Sequence, residues 1–412
     1  MPYNTGCNYN RNQGFYMKKK ENERLPEGLS RAITKEVPIF LVVFFGFFIL
    51  LSSRMGASNM FNTMMNTAHD LLINTVFYIM AIAVLAGAVS ALWSEFGLIF
   101  LFNKILSPLI KPAYGLPGAS AVGIFTTYLS DNPAILTLAD DHNFRRFFKK
   151  YQLPALCNIG TSFGMGLIIT TCMIGIPSPT GEGFGLAVLV GNLGAIVGSI
   201  VSTRLMLRQT AKIYGKEADC EIPEDAGPVF DFHRYRRIRK GSVSSRVMDA
   251  LLEGGKAGVD MGLSIIPGVL IICTMVMMLT NGMPEGGYTG AAYEGIGLLP
   301  WLGEKLHFLL MPLFGFSSAE AIAVPITALG SSGASIGIVE NLVRSGLANA
   351  HDVAVFTAMC MCWSGYLSTH VAMMDSLKCH ELTGKAILSH TVGGLCAGIS
   401  ANWLYTLLSM LL

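Results

Sequence analysis

Long apolar runs separated by short polar segments dominate the chain and predict membrane-spanning helices. The first run, residues 37–53, follows a basic segment and is about the minimum length for one span. Further runs in each half bring the expected total to one unpaired N-terminal span and three spans per half. We therefore predict an all-α polytopic membrane protein.

Two of the apolar segments are interrupted by small polar residues, and they lie 200 positions apart. Over ungapped windows of 25 residues, six pairs are identical: Gly115/Gly315, Ala119/Ala319, Ala121/Ala321, Thr127/Thr327, Leu129/Leu329 and Ala134/Ala334. One interpretation is chance similarity between two membrane helices rich in Ala, Gly and Ser. The other is an internal repeat, whose paired interrupted segments point to a transporter's binding site.

Basic residues change sides between the two halves. Residues 141–150 contain four Lys or Arg, whereas the matching residues 341–350 contain one. The next loop shows the reverse, with none in 177–183 and two in 376–385. Since Lys and Arg mark the cytoplasmic side, this exchange predicts two repeats of inverted topology.

Each interrupted segment is expected to form a re-entrant helical hairpin if both of its ends lie on one side. The tips would then be residues 130–133 and 330–333. Full crossing stays an alternative, because 25 residues are enough to span a bilayer. The Pro-containing stretches 95–114 and 298–314, which precede the hairpins, predict helices lying along the interface.

The predicted organisation has five parts, in chain order: a cytoplasmic N-terminal tail at 1–36, the first span with an external loop at 37–70, the first repeat at 71–210, a cytoplasmic linker at 211–250 and the second repeat at 251–412. The polar residues 55–70 are interpreted as the external loop. The linker is placed in the cytoplasm because its second part is strongly basic.

The composition supports the assignment to membrane proteins and reduces the number of functions to consider. Of 412 residues, 52% are hydrophobic and only 14% are charged, well below a soluble domain, and the net charge of +2 gives no indication of nucleic-acid binding. Nine cysteines without a CxxC pair do not predict a disulfide framework. A P-loop and paired catalytic carboxylates are missing from the sequence, so we expect neither an enzyme nor a cofactor.

The candidate site combines the hairpin tips with polar residues on the helices that follow them. Asp131 is a carboxylate at a predicted tip, which suits a coupling-ion ligand or a substrate contact, unless the tip is hydrated. Hydroxyls bonded back to their own helix are the alternative for single Ser or Thr residues. The predicted substrate-binding residues are Thr127, Ser130, Asp131, Asn132, Asn158, Thr161, Ser162, Ser317, Ser318, Glu320, Thr327, Ser331, Ser332, Trp363 and Ser364.

Two further sets of residues carry weaker signals. Cys360, Cys362 and His370 would suit a transition metal, but a C-x-C pair on a helix points its thiols to different faces, so we expect no metal site. His370 and Asp375 near the end of a span fit either a proton relay or a solvated helix end.

The segments Gly115-Leu116-Pro117-Gly118, Leu129-Ser130-Asp131-Asn132-Pro133, Gly315-Phe316-Ser317-Ser318 and Gly330-Ser331-Ser332-Gly333 resemble the Gate, or nucleoside-recognition, domain. Over roughly residues 70–412 the chain looks like the YjiH-like bacterial inner-membrane proteins and, more distantly, the spore-maturation membrane proteins. The resemblance implies a fold similar to the concentrative nucleoside transporters and to the membrane part of a ferrous-iron transporter. It also implies a location in the bacterial inner membrane, and the basic residues before the first span predict a cytoplasmic N-terminus.

Three functions follow as hypotheses. The first is a secondary transporter of a small polar metabolite, nucleoside-like or another compact organic solute, driven by H⁺ or Na⁺ across the lipid bilayer, as a monomer or a homo-oligomer. The second is a non-transporting Gate module that assembles with or regulates partner proteins. The third is a metal-ion transporter, which the missing GTP-binding domain and missing Cys/Met gate argue against.

Overall fold

The computed structural model describes residues 33–130, 134–135, 142–220 and 238–411. In these ranges every regular element is a helix, and the extended contacts are limited to one bridge between Lys149 and Asp219. The chain divides into two compact units, residues 1–50 and residues 51–412.

The described part of the first half contains eight helices: α1 Glu36–Met55, α2 Ala57–Glu95, α3 Leu98–Tyr114, α4 Ser120–Leu129, α5 His142–Arg145, α6 Ala155–Phe163, α7 Gly166–Gly175 and α8 Gly185–Tyr214. Eight follow in the second half: α9 Val243–Thr280, α10 Leu298–Lys305, α11 His307–Phe314, α12 Ala319–Gly330, α13 Ser332–Arg344, α14 Ala350–Cys362, α15 Tyr366–Ser376 and α16 Thr383–Ser409.

Backbone breaks recur at matching positions in the two halves. Among the residues with a left-handed backbone, three pairs lie 200 positions apart: Gly97/Gly297, Gly115/Gly315 and Met165/Gly365. One π-helical turn interrupts α2 at Leu71–Val76 and another interrupts α9 at Val269–Cys273. Because such breaks depend on local sequence rather than on overall hydrophobicity, their agreement shows an internal duplication far longer than the 25-residue windows.

Helices α2 and α9, which occupy matching places in the two halves, pack against each other in opposite directions. A Cβ atom added to Gly254 would lie 2.3 Å from the Gly87 carbonyl oxygen, and one added to Gly258 would lie 2.4 Å from the Ala83 oxygen. Position numbers therefore rise along one helix as they fall along the other. Small residues permit this backbone approach, as they do at many membrane-helix crossings.

The second matching pair, α8 and α16, is also antiparallel. Gly194 lies beside Ala397, and Gly198 lies beside Gly393. Equivalent helices that pack antiparallel are related by a two-fold axis across their direction, which is the geometry of an inverted-topology repeat. The predicted fold class is thereby confirmed.

The second interrupted segment is a re-entrant hairpin. Its arms α12 and α13 contact each other and meet at Ser331, whose Oγ accepts a hydrogen bond from the Ala334 N–H at 3.2 Å. With 12 and 13 residues the arms are only about 18–20 Å long, less than a bilayer core. In the first hairpin only α4 and the residues up to Ser130 can be compared, since Asp131, Asn132 and Pro133 lie outside the described residues.

By length and composition, five helical segments in the described ranges can cross a membrane: α1, α2, α6 with α7, α8 and α9. The bent pair α11–α12 would make a sixth, but its 79° bend lies where α11 meets the first arm of the hairpin. Our expectation of seven spans also included α14–α15 and α16, which fall below this criterion. Helix α14 nevertheless lies in the core, with every residue except His351 buried.

The predicted external loop at 55–70 was wrong, because residues Ala57–Asp70 form the first four turns of α2. The polar side chains that suggested a loop instead bind the segment 281–297 that covers this helix. Asn59 Nδ2 donates to the Tyr288 carbonyl at 3.2 Å, and Asn66 Nδ2 donates to the Gly290 carbonyl at 2.8 Å. A helix whose polar face meets a polar loop has the composition of a loop, which explains the error.

Candidate functional site

A cavity of about 550 Å³ lies between helices α2, α4, α7 and α9. Its volume is within the range of pockets that hold small organic molecules. Glycine and alanine on the facing sides of α2 and α9 leave the space open. Five hydroxyl side chains line it: Ser90, Ser94, Thr126, Ser130 and Ser264.

The first hairpin reaches this cavity with the end of α4. Ser130 is exposed, and its Oγ donates to the Thr126 carbonyl at 2.6 Å. Ser90 on α2 donates through its Oγ to the Leu129 carbonyl at 2.7 Å, which satisfies one free carbonyl of the last helical turn. Of the predicted site residues that the structure describes, Ser130 is the one that lines the cavity, and it is the first residue of the predicted tip.

A cluster of ion pairs, which we call the mouth cluster, consists of Glu95, Arg239, Arg246 and Glu253. The Glu95 carboxylate, only 4% exposed, lies 2.6 Å from Arg239 Nη1 and 2.6 Å from Arg246 Nε. Arg239 Nη2 lies 2.5 Å from Glu253 Oε2, and both of these residues line the cavity. Glu253 and then Glu95 raise the pKa of the Arg239 guanidinium, so the end of the linker is held against α2 and α9 by charge.

Asp260 is a cavity-lining carboxylate that our sequence reasoning missed. It lies on α9 two helical turns, roughly 10 Å, beyond Glu253, and it is exposed. The sequence did hold a signal, because an ionisable residue within a predicted span is a functional candidate by default. The mouth cluster was missed as well, since the basic residues near 240 were interpreted only as a sign of topology.

The paired threonines Thr127 and Thr327 lie inside their hairpins. Each is fully buried, and its Oγ1 donates to the carbonyl four residues earlier, Gly123 and Ala323 respectively, at 2.8 Å. Neither residue lines the 550 Å³ cavity. Their identity reflects matching helix packing in the two arms.

Asn158, Thr161 and Ser162 share a helix face as expected, and that face is fully buried. Ser162 Oγ donates to the Asn158 carbonyl at 2.7 Å, and Thr161 Oγ1 donates one turn back to Cys157 at 2.9 Å. Asn158 Nδ2 donates to Ser202 Oγ at 2.8 Å and to the Ala386 carbonyl at 3.0 Å. Asn158 therefore joins α6 to α8 and α16.

Ser332 at the second hairpin tip, and Trp363 and Ser364 just after α14, also face the interior. Ser332 Oγ donates to the Cys360 carbonyl at 2.8 Å, and Trp363 Nε1 donates to the His390 carbonyl at 3.3 Å. Ser332, Trp363 and Ser364 are all buried. The tip lies against α9, where a Cβ on Gly268 would be 2.7 Å from Ser331 Oγ.

Ser317, Ser318 and Glu320 lie at the other end of the second hairpin. The Ser317 N–H donates to Asp352 Oδ1 at 2.9 Å, and its Oγ accepts from Asn349 Nδ2 at 2.7 Å. Glu320 is in the first turn of α12, where a carboxylate suits the helix dipole, as expected of a residue at this helix start. The structure therefore separates these three residues from the tip at Ser331 by the length of α12.

Comparison with known proteins gives similarity in structure alone. The chain matches no family model and no curated protein. It is similar to the concentrative nucleoside transporter CNTnw. A variant of CNTnw in an intermediate state aligns with a TM-score of 0.51 at 13% identity, over 89% of this chain and 85% of that chain. The inward-facing substrate-bound state aligns with a TM-score of 0.48 at 14% identity, over 81% and 78%.

The likeness to the intermediate state of CNTnw and the antiparallel matching helices agree on the fold. The chain is a multi-pass α-helical membrane protein built from two inverted repeats, in the arrangement seen in that transporter. At 13% identity, this similarity shows the fold of the chain and does not identify its solute.

Proposed function

We propose that the protein is a secondary transporter of a small polar metabolite, nucleoside-like or another compact organic solute, coupled to H⁺ or Na⁺. The observation that carries the proposal is the 550 Å³ cavity lined in part by Ser130, at the C-terminal end of α4. An interrupted helix end at such a cavity offers unpaired backbone groups and partial charges to a solute.

The two hairpins differ in their surroundings, and this difference supports alternating access. The first borders a cavity that reaches the mouth cluster, while the second holds Ser332 fully inside the protein. A carrier with access from one side has this asymmetry between its halves. With the basic linker in the cytoplasm of a bacterial inner membrane, the access is from inside and the N-terminus is cytoplasmic.

Solute recognition is assigned to the cavity hydroxyls and to Asp260, and ion coupling is assigned to Asp131. Hydroxyls such as Ser94 and Ser264 offer both donors and acceptors to a polar solute. Asp131 follows Ser130 directly and is proposed as the ligand of a coupling ion. Asp260 is proposed to bind the solute from the α9 side of the cavity.

The test combines a binding screen with transport. Purified protein is heated with nucleosides, small organic acids, peptides and divalent metals, with and without Na⁺ and at several pH values. A compound that binds the folded protein raises its unfolding midpoint by mass action, and the compound found is then followed into proteoliposomes. We expect Asp260→Asn and Asp131→Asn to lose about tenfold or more of uptake, equivalent to roughly 1.4 kcal/mol.

Asp375→Asn is the matched control, because Asp375 is exposed, pairs with His380 at 2.7 Å and does not line the cavity. It should transport normally. A screen and transport assay without any hit would overturn the proposal and favour a Gate module that assembles with partner proteins. A hit confined to divalent metals would favour a metal transporter.

A further inference from the structure

Two histidine rings lie together in the interior of the second repeat. His370 on α15 and His390 on α16 are both 0% exposed, and their ring centroids are 4.7 Å apart. Ionisable side chains inside a membrane domain are costly and mark ion or substrate paths by default. Their hydrogen-bond partners determine which ring nitrogen is available.

His390 is satisfied as a neutral ring. Its Nε2 faces the Cys362 carbonyl, which can only accept, so this nitrogen carries the proton. Its Nδ1 lies 2.9 Å from Ser202 Oγ and accepts that hydroxyl proton, since Ser202 in turn accepts from Asn158 Nδ2. Both nitrogens therefore have suitable partners.

His370 has one satisfied nitrogen and one that is not. Its Nδ1 faces the Tyr366 carbonyl and must donate to it. The tautomer that results leaves a lone pair on Nε2. This atom is buried and has no hydrogen-bond partner among the residues that the structure describes.

We propose that His370 Nε2 binds the proton that drives transport. The inference rests on the proposed transporter function and names H⁺ as a coupling ion. An imidazole nitrogen binds a proton well, whereas Na⁺ is a hard cation that prefers oxygen ligands. A bound metal would need further ligands, and the described residues contain no group of three or more His, Cys, Asp or Glu that could hold one.

The groups around the ring explain how a proton would change the protein. Helices α6, α12 and α16 and the turn at 380–382 pack on α15 or follow it. The titratable residues they carry, with those of α15, are Cys157, Glu320, Lys385, His390, Cys396, Tyr405, His380, Glu381, Tyr366 and Asp375. The ring contacts are with Tyr366 and His390, and neither of these residues is a carboxylate.

An imidazolium at this place would lack a counter-charge in its immediate contacts. Protonation therefore favours a different conformation, in which water or a carboxylate reaches Nε2. The last turn of α14 connects this event to the second hairpin. The Cys362 carbonyl accepts a hydrogen bond from His390 Nε2, and the Cys360 carbonyl accepts one from Ser332 Oγ at 2.8 Å.

The experiment has a direct part and a transport part. In the direct part, protein labelled with ¹⁵N-histidine is titrated by NMR, and the His370 signals are assigned by their loss in His370→Gln. We expect a neutral tautomer with a bare Nε2 that converts to imidazolium as the pH falls. A His370 ring that stays neutral throughout the folded pH range would overturn the proposal, whether or not transport has been found.

The transport part uses proteoliposomes and the solute identified by screening. Wild-type uptake should follow an inward proton gradient, and His370→Gln should lose about tenfold or more of this uptake but keep solute exchange without a gradient. His380→Gln is the control, since His380 is exposed in the turn that follows α15. Uptake driven by Na⁺ and indifferent to pH would overturn the histidine site while leaving the proposed transporter function intact.

Discussion

At the scale of single residues, Glu294 ties the covering segment 281–297 together. Its carboxylate accepts from Thr289 Oγ1 at 2.6 Å, from the Thr289 N–H at 2.9 Å and from the Gly290 N–H at 3.0 Å. Burial alone would raise the pKa of Glu294. The hydrogen bonds from Thr289, Gly290 and Ala291 outweigh burial and lower it.

The lowered pKa gives Glu294 a pH-dependent contribution to stability. A carboxyl whose pKa is depressed on folding stabilises the protein above its unfolded value, about 4.3, and loses that contribution as the pH falls through the folded value. Glu294→Gln should therefore lower the unfolding midpoint at neutral pH by a few degrees, and the difference from wild type should shrink in acid. Thermal unfolding across a pH series measures this.

Glu285→Gln is the control for this experiment, because Glu285 is exposed in the same segment. It should follow the wild-type curve at every pH. Equal curves for Glu294→Gln and Glu285→Gln would show that the hydrogen bonds of Glu294 contribute nothing to stability.

At the scale of elements, the contact of α2 with α9 depends on individual glycines. Gly254 and Gly255 are neighbours on α9, yet they differ sharply in the space around them. A Cβ on Gly254 would meet the Gly87 carbonyl at 2.3 Å, whereas one on Gly255 would lie 3.6 Å from Val84 Cγ1 at ordinary contact distance. These two positions form a matched pair for mutation.

Gly254→Ala should destabilise the protein by about 1–3 kcal/mol, because backbone must move to accept the methyl group. Gly255→Ala should be neutral or stabilising by up to about 1 kcal/mol, since alanine favours the helix. Unfolding of both variants in detergent by heat or denaturant measures the difference. Equal stability of the two would contradict the close crossing of α2 and α9.

The elements also show what sequence could and could not predict. Repeats, their inversion and the break at Ser331 follow from matching residues and basic loops, which are local signals. The helix at 57–70 was missed, because its partner Gly290 lies more than 200 residues away in the chain. Asn158 was correctly placed on a polar face, but its burial depends on Ser202 and Ala386, which no local pattern reveals.

At the scale of the whole molecule, the cavity provides a test of access. Ala257 lines it and is exposed, whereas Val259 on the same helix is exposed but lies outside the cavity lining. With the nine native cysteines replaced, Ala257→Cys should react with a membrane-impermeant thiol reagent added on the linker side. The solute found by screening should slow this reaction.

Val259→Cys should react slowly with the same reagent and show no protection by the solute. Labelling is measured by mass increase in oriented vesicles. Reaction of Ala257→Cys only with reagent added on the opposite side would contradict an opening of the cavity on the linker side.

The antiparallel contacts between matching helices also say something about ancestry. Two copies of one short protein, inserted in opposite orientations, would meet through the same glycine-rich faces that join α8 to α16. With the three spans per half that the sequence predicts, each half ends on the far side of the membrane, so tandem fusion of the gene reproduces the opposed pair without an added helix. Once fused, the copies were free to diverge, and Ser130 in one hairpin now faces a cavity while Gly330 begins the turn of the other.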